Sequence, residues 1–455
     1  MRLLHAIHDF LPRHRAGSEI YAFELARELS RRHDLFVLAA EYDPAAPHGT
    51  IRWRAYGGLP IIEIVNNWAF DRFEETYSSR RINAQLAHVL DITRPDILHI
   101  HNLLTLSFDL PRIAQARKIR SVATLHDYAL VCPSGGQRVH VAESHLCDVI
   151  EPERCCRCFD ESPFHSMMVG GTAARHPGGR VIGRAGMWAR RRFPVLTERL
   201  TRRVPAMSVS AADISQRLIR ARDVFESIDL FVAPSASLAE EYVRLGLDRP
   251  KIRVSDYGFV PLAPRERRQP SRPLRIGFTG TLAWHKGVHV LIEAARRLTG
   301  DFRVRICGNL DVFPSYSARL RRDAAGLPVE FTGAFDRDDL AHIYGSFDVL
   351  VVPSLWPENS PLVVHEAFMH GVAVVAARQG GIPELVRDGV NGVIYEAYSP
   401  AALAAALQPL IDRPELAAAY AAAAPAVKAI AHDCREWEAR YEEVLTASGA
   451  ASRIQ

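Results

Sequence analysis

The stretch from residue 348 to residue 392 constrains the fold more than any other, because short apolar runs alternate there with proline and glycine. The run Val349–Val352 is short enough for a buried strand, and residues 362–370 predict a helix that a glycine ends. Residues 372–376 predict a second buried strand, after which a double glycine opens another helix at 382–385. This alternation predicts an open α/β sheet with parallel strands.

Polar residues surround the start of the first predicted helix. Ser360 is a candidate N-cap, and Pro361 suits the first helical position, where a missing N–H is tolerated. Free N–H groups at residues 360–363 would bind a phosphate. Glu358 precedes the helix and Glu366 lies inside it, and carboxylates accept hydrogen bonds from sugar hydroxyls. The pattern therefore predicts a site for a diphosphate and for hydroxyl groups; the alternative is two surface glutamates around an ordinary helix cap.

Several short motifs in this stretch are typical of one protein family. They are PS-x-W-x-E, the second glutamate in EA, G-V-A-V-V, GG-x-P-E and DG-x-x-G. Together they closely resemble the donor-binding signature of the retaining glycosyltransferases of family 4, the glycosyl transferases group 1 of the GT-B fold. The resemblance implies an α/β fold of two Rossmann-like, doubly wound domains that face a cleft. It also implies transfer of a sugar from a UDP- or GDP-linked nucleotide sugar with retention of configuration, and no metal cofactor for catalysis.

The resemblance also assigns roles to residues of this stretch. Glu358 would hold hydroxyl groups of the transferred sugar, so we count it as catalytic, and Glu366 would hold the ribose. The predicted donor-binding residues here are Asn359, Ser360, Pro361, Leu362 and Glu366.

A second donor-binding element is predicted earlier in the chain. Residues 274–278 predict a strand, and a loop with Gly280 and Lys286 leads into the next helix. Lys286 stands just before that helix, so its ammonium and the helix N–H groups could bind a diphosphate together; the alternative is an ordinary surface lysine. The resembled family has arginine and lysine on the phosphates here. This chain has Thr281 at the arginine position, which removes one positive charge.

The first residues of the chain predict a similar strand, loop and helix. Residues 3–7 predict the strand, and Ser18 is a candidate cap for a helix over 19–31. The loop lacks the pattern G-x-G-x-x-G, which argues against a dinucleotide cofactor. The resemblance assigns Gly17 and Ser18 to the acceptor side. It also places His126, in a T-x-H-D element, beside the transferred sugar, so we predict a catalytic role for it; the alternative is a loop histidine bonded to backbone.

Length and composition indicate a two-domain protein without a membrane span. The chain has 455 residues and a formal net charge of +4, and no apolar run approaches the roughly 20 residues of a membrane helix. We expect a first domain over 1–262, a linker over 263–273, a second domain over 274–430 and a C-terminal helix over 431–455 that crosses back. A cytoplasmic protein that can associate with the inner face of the plasma membrane is the expected localisation.

Four cysteines within the first domain have the spacing of metal ligands. Cys132, Cys147, Cys155 and Cys158 offer four thiolates, and the last two are separated by two residues, as in zinc knuckles. We expect structural zinc, although an iron–sulfur cluster and reduced, unligated thiols are alternatives. The cysteines begin a cysteine- and arginine-rich insertion predicted at about 132–225.

Residues 171–222 of this insertion contain many arginines interleaved with apolar side chains. Such a stretch suits an anionic membrane surface or a lipid-diphosphate acceptor, or else it is a solvated arginine face. No nucleic-acid-binding module accompanies it. We therefore expect transfer to a glycan or lipid-linked acceptor in bacterial surface polysaccharide or lipopolysaccharide biosynthesis. The alternatives are a nucleotide-sugar epimerase of GT-B fold and a non-catalytic nucleotide-sugar-binding subunit.

Overall fold

The computed structural model describes residues 1–173, 207–262 and 271–451, with eight further positions between 185 and 200. Most of the predicted linker and much of the arginine-rich stretch therefore lie outside the described residues. The chain divides into two compact units. Unit 1 comprises residues 1–234, 239–260 and 429–455, and unit 2 comprises residues 235–238 and 261–428.

Unit 1 begins as a repeated alternation of strands and helices. Its strands are β1 (Arg2–Ile7), β2 (Asp34–Glu41), β3 (Ile51–Tyr56), β4 (Leu59–Val65), β5 (Ile97–Ile100), β6 (Arg120–Thr124), β7 (Val139–His140), β8 (His145–Leu146), β9 (Leu230–Ala233) and β10 (Ile252–Val254). The described helices as far as residue 260 are α1 (Gly17–Leu29), α2 (Arg80–Thr93), α3 (Leu110–Gln115), α4 (Pro152–Asp160), α5 (Pro163–Ala173), α6 (Ala211–Ser227) and α7 (Ala236–Arg244).

Eight of these strands form one sheet in the order β10-β9-β6-β5-β1-β2-β4-β3. Neighbouring strands run parallel except β3 and β4, which pair as an antiparallel hairpin at the sheet edge. The central strands β1 and β5 are buried almost throughout, as expected for parallel strands covered on both faces. Strands β7 and β8 form a separate antiparallel ribbon.

Unit 2 contains one six-stranded parallel sheet in the order β13-β12-β11-β14-β15-β16. Its strands are β11 (Leu274–Thr279), β12 (Phe302–Cys307), β13 (Val329–Gly333), β14 (Val349–Val352), β15 (Ala373–Ala377) and β16 (Gly392–Tyr395). Its helices are α8 (Val288–Ala295), α9 (Pro314–Asp323), α10 (Leu340–Gly345), α11 (Leu362–Met369), α12 (Ile382–Leu385), α13 (Pro400–Asp412) and α14 (Glu415–Ala422).

The strand order of unit 2 runs outward in both directions from β11 and β14, which are neighbours. The switch point of this sheet therefore lies between them, and ligands of open α/β sheets bind outside the carboxyl ends of the strands at such a point. The predicted strand at 349–352 is confirmed, and the one predicted at 372–376 begins one residue later. Leu350, Val374 and Val364 are fully buried in one apolar core that joins β14, β15 and α11.

The last helix, α15 (Ile430–Ala451), belongs to unit 1. Asp433 accepts a hydrogen bond from the Tyr21 hydroxyl at 2.8 Å, and the Trp437 indole N–H donates to the same hydroxyl oxygen at 3.0 Å. These buried bonds and the apolar face around Trp437 fix α15 against α1. Among the helices that the structure describes, none combines the length and hydrophobicity needed to cross a bilayer.

Candidate functional site

Two loops of unit 2 leave the sheet side by side at its switch point. The loop after β11 contains Gly280 and Lys286, and the loop after β14 contains Glu358 and leads into α11. Gly287 has φ of +73°, and a Cβ atom built on it would lie 1.8 Å from the carbonyl oxygen of Pro353. Only glycine fits where the two loops meet, so this contact holds the predicted donor-binding residues of both loops together.

Lys286 and Glu358 form an ion pair in these loops. The Lys286 ammonium donates to Oε1 of Glu358 at 2.7 Å and lies 5.1 Å from the centroid of the Trp356 ring. Ser354 donates to the same carboxylate oxygen. In the described part of the chain, Oε2 of Glu358 has no hydrogen-bond partner. That oxygen is therefore available to accept hydrogen bonds from a ligand.

The charge of Glu358 is fixed by its partners. Burial on its own would raise the pKa of Glu358, but the Lys286 ammonium and the bonds from Lys286 and Ser354 outweigh burial and lower it. The carboxylate is consequently ionised at neutral pH, and its negative charge faces a positive one. Neither Ser354 nor Trp356 was singled out by the sequence analysis, although both belong to the PS-x-W-x-E motif.

Helix α11 begins at Leu362 as predicted, but its N-cap differs from the predicted one. Pro361 is the N-cap, in extended conformation. The predicted capping role of Ser360 is wrong, because its hydroxyl pairs at 2.9 Å with Nε2 of His365 instead of with a backbone N–H of the first turn. The N–H groups of Leu362 and Val363 are then the ones left without an acceptor inside the helix, since Val364 bonds back to Pro361.

Glu366 lies one turn into α11 and is half-buried. The Tyr344 hydroxyl donates to its Oε2 at 2.8 Å and also lies 3.1 Å from Oγ1 of Thr279 at the end of β11. Burial raises the pKa of Glu366, and the bond from Tyr344 opposes that rise. Oε1 of Glu366 has no partner among the described residues, so Glu366 resembles Glu358 in offering one free oxygen.

No arginine of β12 replaces the cation that Thr281 removes. Arg305 is two residues before the end of β12 and pairs with Glu330 of β13 at 3.1 Å. Arg303 lies still further from that end and is exposed. Thr281 itself is exposed in the loop after β11. Lys286 is therefore the cation that faces the predicted phosphate position in the described part of these two loops.

The predicted catalytic residue of unit 1, His126, follows β6. Its Nδ1 pairs with the Tyr257 hydroxyl at 2.8 Å and its Nε2 pairs with Nδ1 of His101 at 3.1 Å. Burial lowers the pKa of His126 to about 3, so the imidazole is neutral at physiological pH. A neutral ring held at both nitrogens is suited to hydrogen bonding and to orientation rather than to proton transfer.

Three other histidines behind His126 bring ligand atoms within 4.8 Å of one another, namely His5, His99 and His101. They fit a metal ion poorly. His99 and His101 stack with ring centroids 4.3 Å apart and an interplanar angle of 18°, so their nitrogens do not converge on one point. His99 also pairs at both nitrogens, with Tyr441 and Thr124. We interpret the group as a neutral hydrogen-bonded core.

Asp127 is a residue that the sequence analysis missed. Its side chain accepts hydrogen bonds from the Ala129 N–H at 2.8 Å and from Asn102 at 3.0 Å. Burial raises the pKa of Asp127 to about 6, although the hydrogen bonds from Ala129 and Asn102 lower it in part. Its place directly after His126 in the T-x-H-D element was the available signal.

The acceptor-side residues Gly17 and Ser18 open α1 after β1. The N-cap is Ala16, and Glu19 accepts hydrogen bonds from the Ala16 N–H and the Ser18 hydroxyl, both at 3.1 Å. The prediction that Ser18 caps the helix is therefore wrong, because the buried Glu19 carboxylate supplies the acceptor at this end. Gly17 and Ser18 remain exposed or half-exposed beside it.

The four predicted metal-binding cysteines also lie in unit 1. Cys132 follows β6 after a turn, Cys147 follows β8, and Cys155 and Cys158 lie in α4. All four are free thiols and half-buried.

Two family models match the chain. The model described as "Glycosyltransferase Family 4" matches residues 15–146, and the model "Glycosyl transferases group 1" matches residues 261–427. A D-inositol 3-phosphate glycosyltransferase of Corynebacterium kroppenstedtii is 35% identical over 161 residues, which are 32% of this chain and 36% of the relative. One of Xylanimonas cellulosilytica is 31% identical over 255 residues, 50% of this chain and 61% of the relative. The chain thus spans about a third to three fifths of the length of these curated relatives.

The solved structure of Anabaena HepE in complex with UDP and glucose matches over the whole length of both chains. Its TM-score is 0.60 and its sequence identity is 16%, so this likeness concerns the fold.

Proposed function

Because the chain belongs to glycosyltransferase family 4 and has the GT-B fold, we propose that it transfers a sugar from a nucleotide sugar to a glycan or lipid-linked acceptor with retention of configuration. The family and the fold predicted from residues 348–392 are thereby confirmed. The family models leave residues 147–260 unmatched, so the insertion predicted at about 132–225 stays a prediction.

The observation that carries the proposal is the Lys286–Glu358 ion pair beside the start of α11, at the switch point of the sheet. A lysine ammonium has three N–H donors, so Lys286 can keep its bond to Glu358 while it binds phosphate oxygens. When the bond between sugar and diphosphate breaks, negative charge grows on the leaving diphosphate. Lys286 and the N–H groups of Leu362 and Val363 would stabilise that charge, without a metal ion.

The two carboxylates would position the rest of the donor. Oε1 of Glu358 is held by Lys286 and Ser354, and Oε2 is left to accept hydroxyl groups of the sugar. Oε2 of Glu366 is held by Tyr344, and Oε1 would accept a ribose hydroxyl. Carboxylates that are already fixed on one side lose little further freedom on binding, so they orient the donor well.

We assign the acceptor end to unit 1, with Gly17 and Ser18 at the start of α1. Neutral His126 would act as a hydrogen-bonding group there. The setting we propose is bacterial surface polysaccharide or lipopolysaccharide assembly by a cytoplasmic protein at an anionic membrane surface. The arginines that favour the membrane lie largely outside the described residues. A phosphorylated cyclic polyol is the second acceptor class to test, because two of the curated relatives are D-inositol 3-phosphate glycosyltransferases.

The test is a donor and acceptor screen with the purified protein. UDP-sugars come first, because HepE binds UDP and glucose, and GDP-sugars follow. Proton NMR of the anomeric signals should show an α-linked donor converted to an α-linked product. A β-linked product would contradict retention. Conversion of the donor to an epimer without any acceptor, or tight donor binding without hydrolysis or transfer, would replace the proposal by an epimerase or by a non-catalytic subunit.

A further inference from the structure

Four thiols of unit 1 belong to one small substructure that follows His126 and Asp127. Cys155 and Cys158 are three residues apart in α4, so they project from the same side of that helix. Cys147 directly follows the two-stranded ribbon of β7 and β8, and its N–H donates to the carbonyl oxygen of Arg138 at 2.8 Å. Cys132 ends a turn that its N–H closes on Tyr128 at 2.8 Å. Three separate pieces of chain thus carry the thiols.

The α4 cysteines face the piece of chain between Cys132 and Cys147. Sγ of Cys158 lies 3.7 Å from the carbonyl oxygen of Val139, the neighbour of the residue that binds the Cys147 N–H. Phe159 is buried and packs edge-on against Phe73, which fixes this side of α4 against unit 1. Cys147 and Cys158 therefore meet the same short strand from two directions.

Cys156 does not belong to this group of thiols. It follows Cys155 by one residue in α4, so its side chain leaves the helix on a different side from those of Cys155 and Cys158. Helix α4 packs against α6, and Arg217 of α6 donates to the carbonyl oxygens of Ala129 and Leu130, shortly before Cys132. Helix α6 therefore connects Cys132 with the cysteines of α4.

A buried arginine beside the thiols has no carboxylate partner. Arg217 donates to the carbonyl oxygens of Leu130 and Ala129 at 2.9 and 2.6 Å, just before Cys132. Within the described residues, no carboxylate lies at ion-pair distance from it, although it is only 4% exposed. The guanidinium also lies 4.9 Å from the centroid of the Phe108 ring and 6.0 Å from that of the Tyr77 ring, but neither carbonyls nor rings carry the full negative charge that a buried cation favours. A divalent ion with four thiolates carries a net charge of about −2 and would supply the missing counter-charge.

The geometry points to a metal site: we propose that Cys132, Cys147, Cys155 and Cys158 bind one Zn²⁺ ion. Each thiol loses its proton and forms one bond to zinc, so up to four protons are released and nothing is oxidised or reduced. The ion would tie α4 and the β7–β8 ribbon to the turn that follows His126 and Asp127, and would thereby keep that turn in place.

Binding must draw the sulfurs together. In the described part of the chain, three ligand atoms lie within 4.8 Å of one another only in the group of His5, His99 and His101. No three of the four sulfurs are therefore that close. Zinc bonds to sulfur are about 2.3 Å long, which places tetrahedral sulfurs about 3.8 Å apart. The four half-buried thiols lie on separate pieces of chain, so the proposed site closes only when the ion binds.

The test is metal analysis of the full chain, purified without added metal and without chelator. Mass spectrometry of the elements should find about one zinc per chain. Cys155→Ser and Cys158→Ser should each lose it, and the matched variant Cys156→Ser should keep it. Replacement by Co²⁺ should give the intense visible bands of a tetrahedral thiolate site.

The test remains valid if a variant fails to fold, because removal of the metal from the wild-type chain gives an independent result. Stripping the metal with a chelator should lower its melting temperature, and adding back Zn²⁺ should restore that temperature and release about four protons. Iron with acid-labile sulfide in place of zinc overturns the proposal. So does metal-free protein whose five exposed or half-buried thiols all react with an alkylating agent in the folded state, with or without added Zn²⁺.

Discussion

Two buried groups that contain predicted site residues, one at the sheet edge of each unit, are in opposite electrical states. At the edge of unit 2, Lys286 and Glu358 are both charged and are held together by a 2.7 Å bond. At the edge of unit 1, His101 and His126 form a hydrogen-bonded chain with Tyr257, and burial lowers the pKa of both histidines far enough to keep them neutral. Burial is common to the two edges, and the difference is the presence of an opposite charge.

This difference indicates what each edge can do. A buried charge persists only beside a partner, and in unit 2 the partner leaves a positive group with spare donors, which suits a diphosphate. Neighbouring buried imidazoles stay neutral, because a protonated ring would lose its hydration and would repel any second protonated ring. The chain of His101, His126 and Tyr257 in unit 1 can therefore orient uncharged groups through hydrogen bonds, but it offers no charge to an anion.

The largest effect should come from removing the charge at unit 2. Lys286→Ala should weaken the binding of a nucleoside diphosphate by about 10- to 100-fold, because a charge-assisted hydrogen bond is lost. It should also lower the free energy of unfolding by about 1–3 kcal/mol, since Glu358 loses its partner. Titration calorimetry and chemical denaturation measure the two effects.

Two further variants separate binding from stability. Lys286→Ala combined with Glu358→Gln should regain most of the stability and none of the affinity, because no buried charge is left unpaired. Arg305→Ala, which removes an arginine paired with Glu330 in the same unit, should leave affinity unchanged. Equal affinity in wild type and Lys286→Ala would show that the diphosphate binds elsewhere.

The contrast between the two edges could be predicted from the sequence only in part. The order of strand and helix at 348–392 was predictable, because apolar runs, proline and glycine follow local rules. The N-cap of α11 was placed one residue too early, since the choice of Ser360 between a backbone N–H and His365 depends on packing. The ion pair joins residues 72 positions apart, and Tyr257 reaches His126 across 131 positions. Such pairs depend on strand order, which motifs alone do not specify.

A smaller effect should come from adding charge at the same edge. Thr281 is exposed in the loop after β11, so Thr281→Arg can be accommodated, and it restores the cation of the resembled family. We expect about 10-fold tighter binding of a nucleoside diphosphate and a steeper fall of affinity with salt. Thr299→Arg adds the same charge at an exposed position beyond α8 and should change affinity little. Equal gains from both variants would mean that only net charge matters.

The smallest effect is a difference in how the two edges respond to pH. The pKa of Asp127 is raised by burial to about 6, so its ionisation destabilises the fold, and stability relative to Asp127→Asn should fall as the pH rises from about 4 to 6. Burial also acts on Glu358, but Lys286 and Ser354 lower its pKa. The ionised Glu358 carboxylate therefore contributes to the free energy of unfolding, measured against Glu358→Gln. This contribution should be complete above the ordinary glutamate pKa and should be lost as the pH falls through the lowered pKa of Glu358 in the folded protein.

Thermal melts of the wild type and the two variants over pH 3–8 test both signs, with expected differences of a few degrees. Only the change with pH matters, because each substitution also has a constant effect through its hydrogen bonds. Groups that titrate elsewhere cancel in each difference between wild type and variant. Slopes of the same sign for both residues would refute the contrast, since burial would then outweigh Lys286 at Glu358 as it outweighs the hydrogen bonds of Ala129 and Asn102 at Asp127.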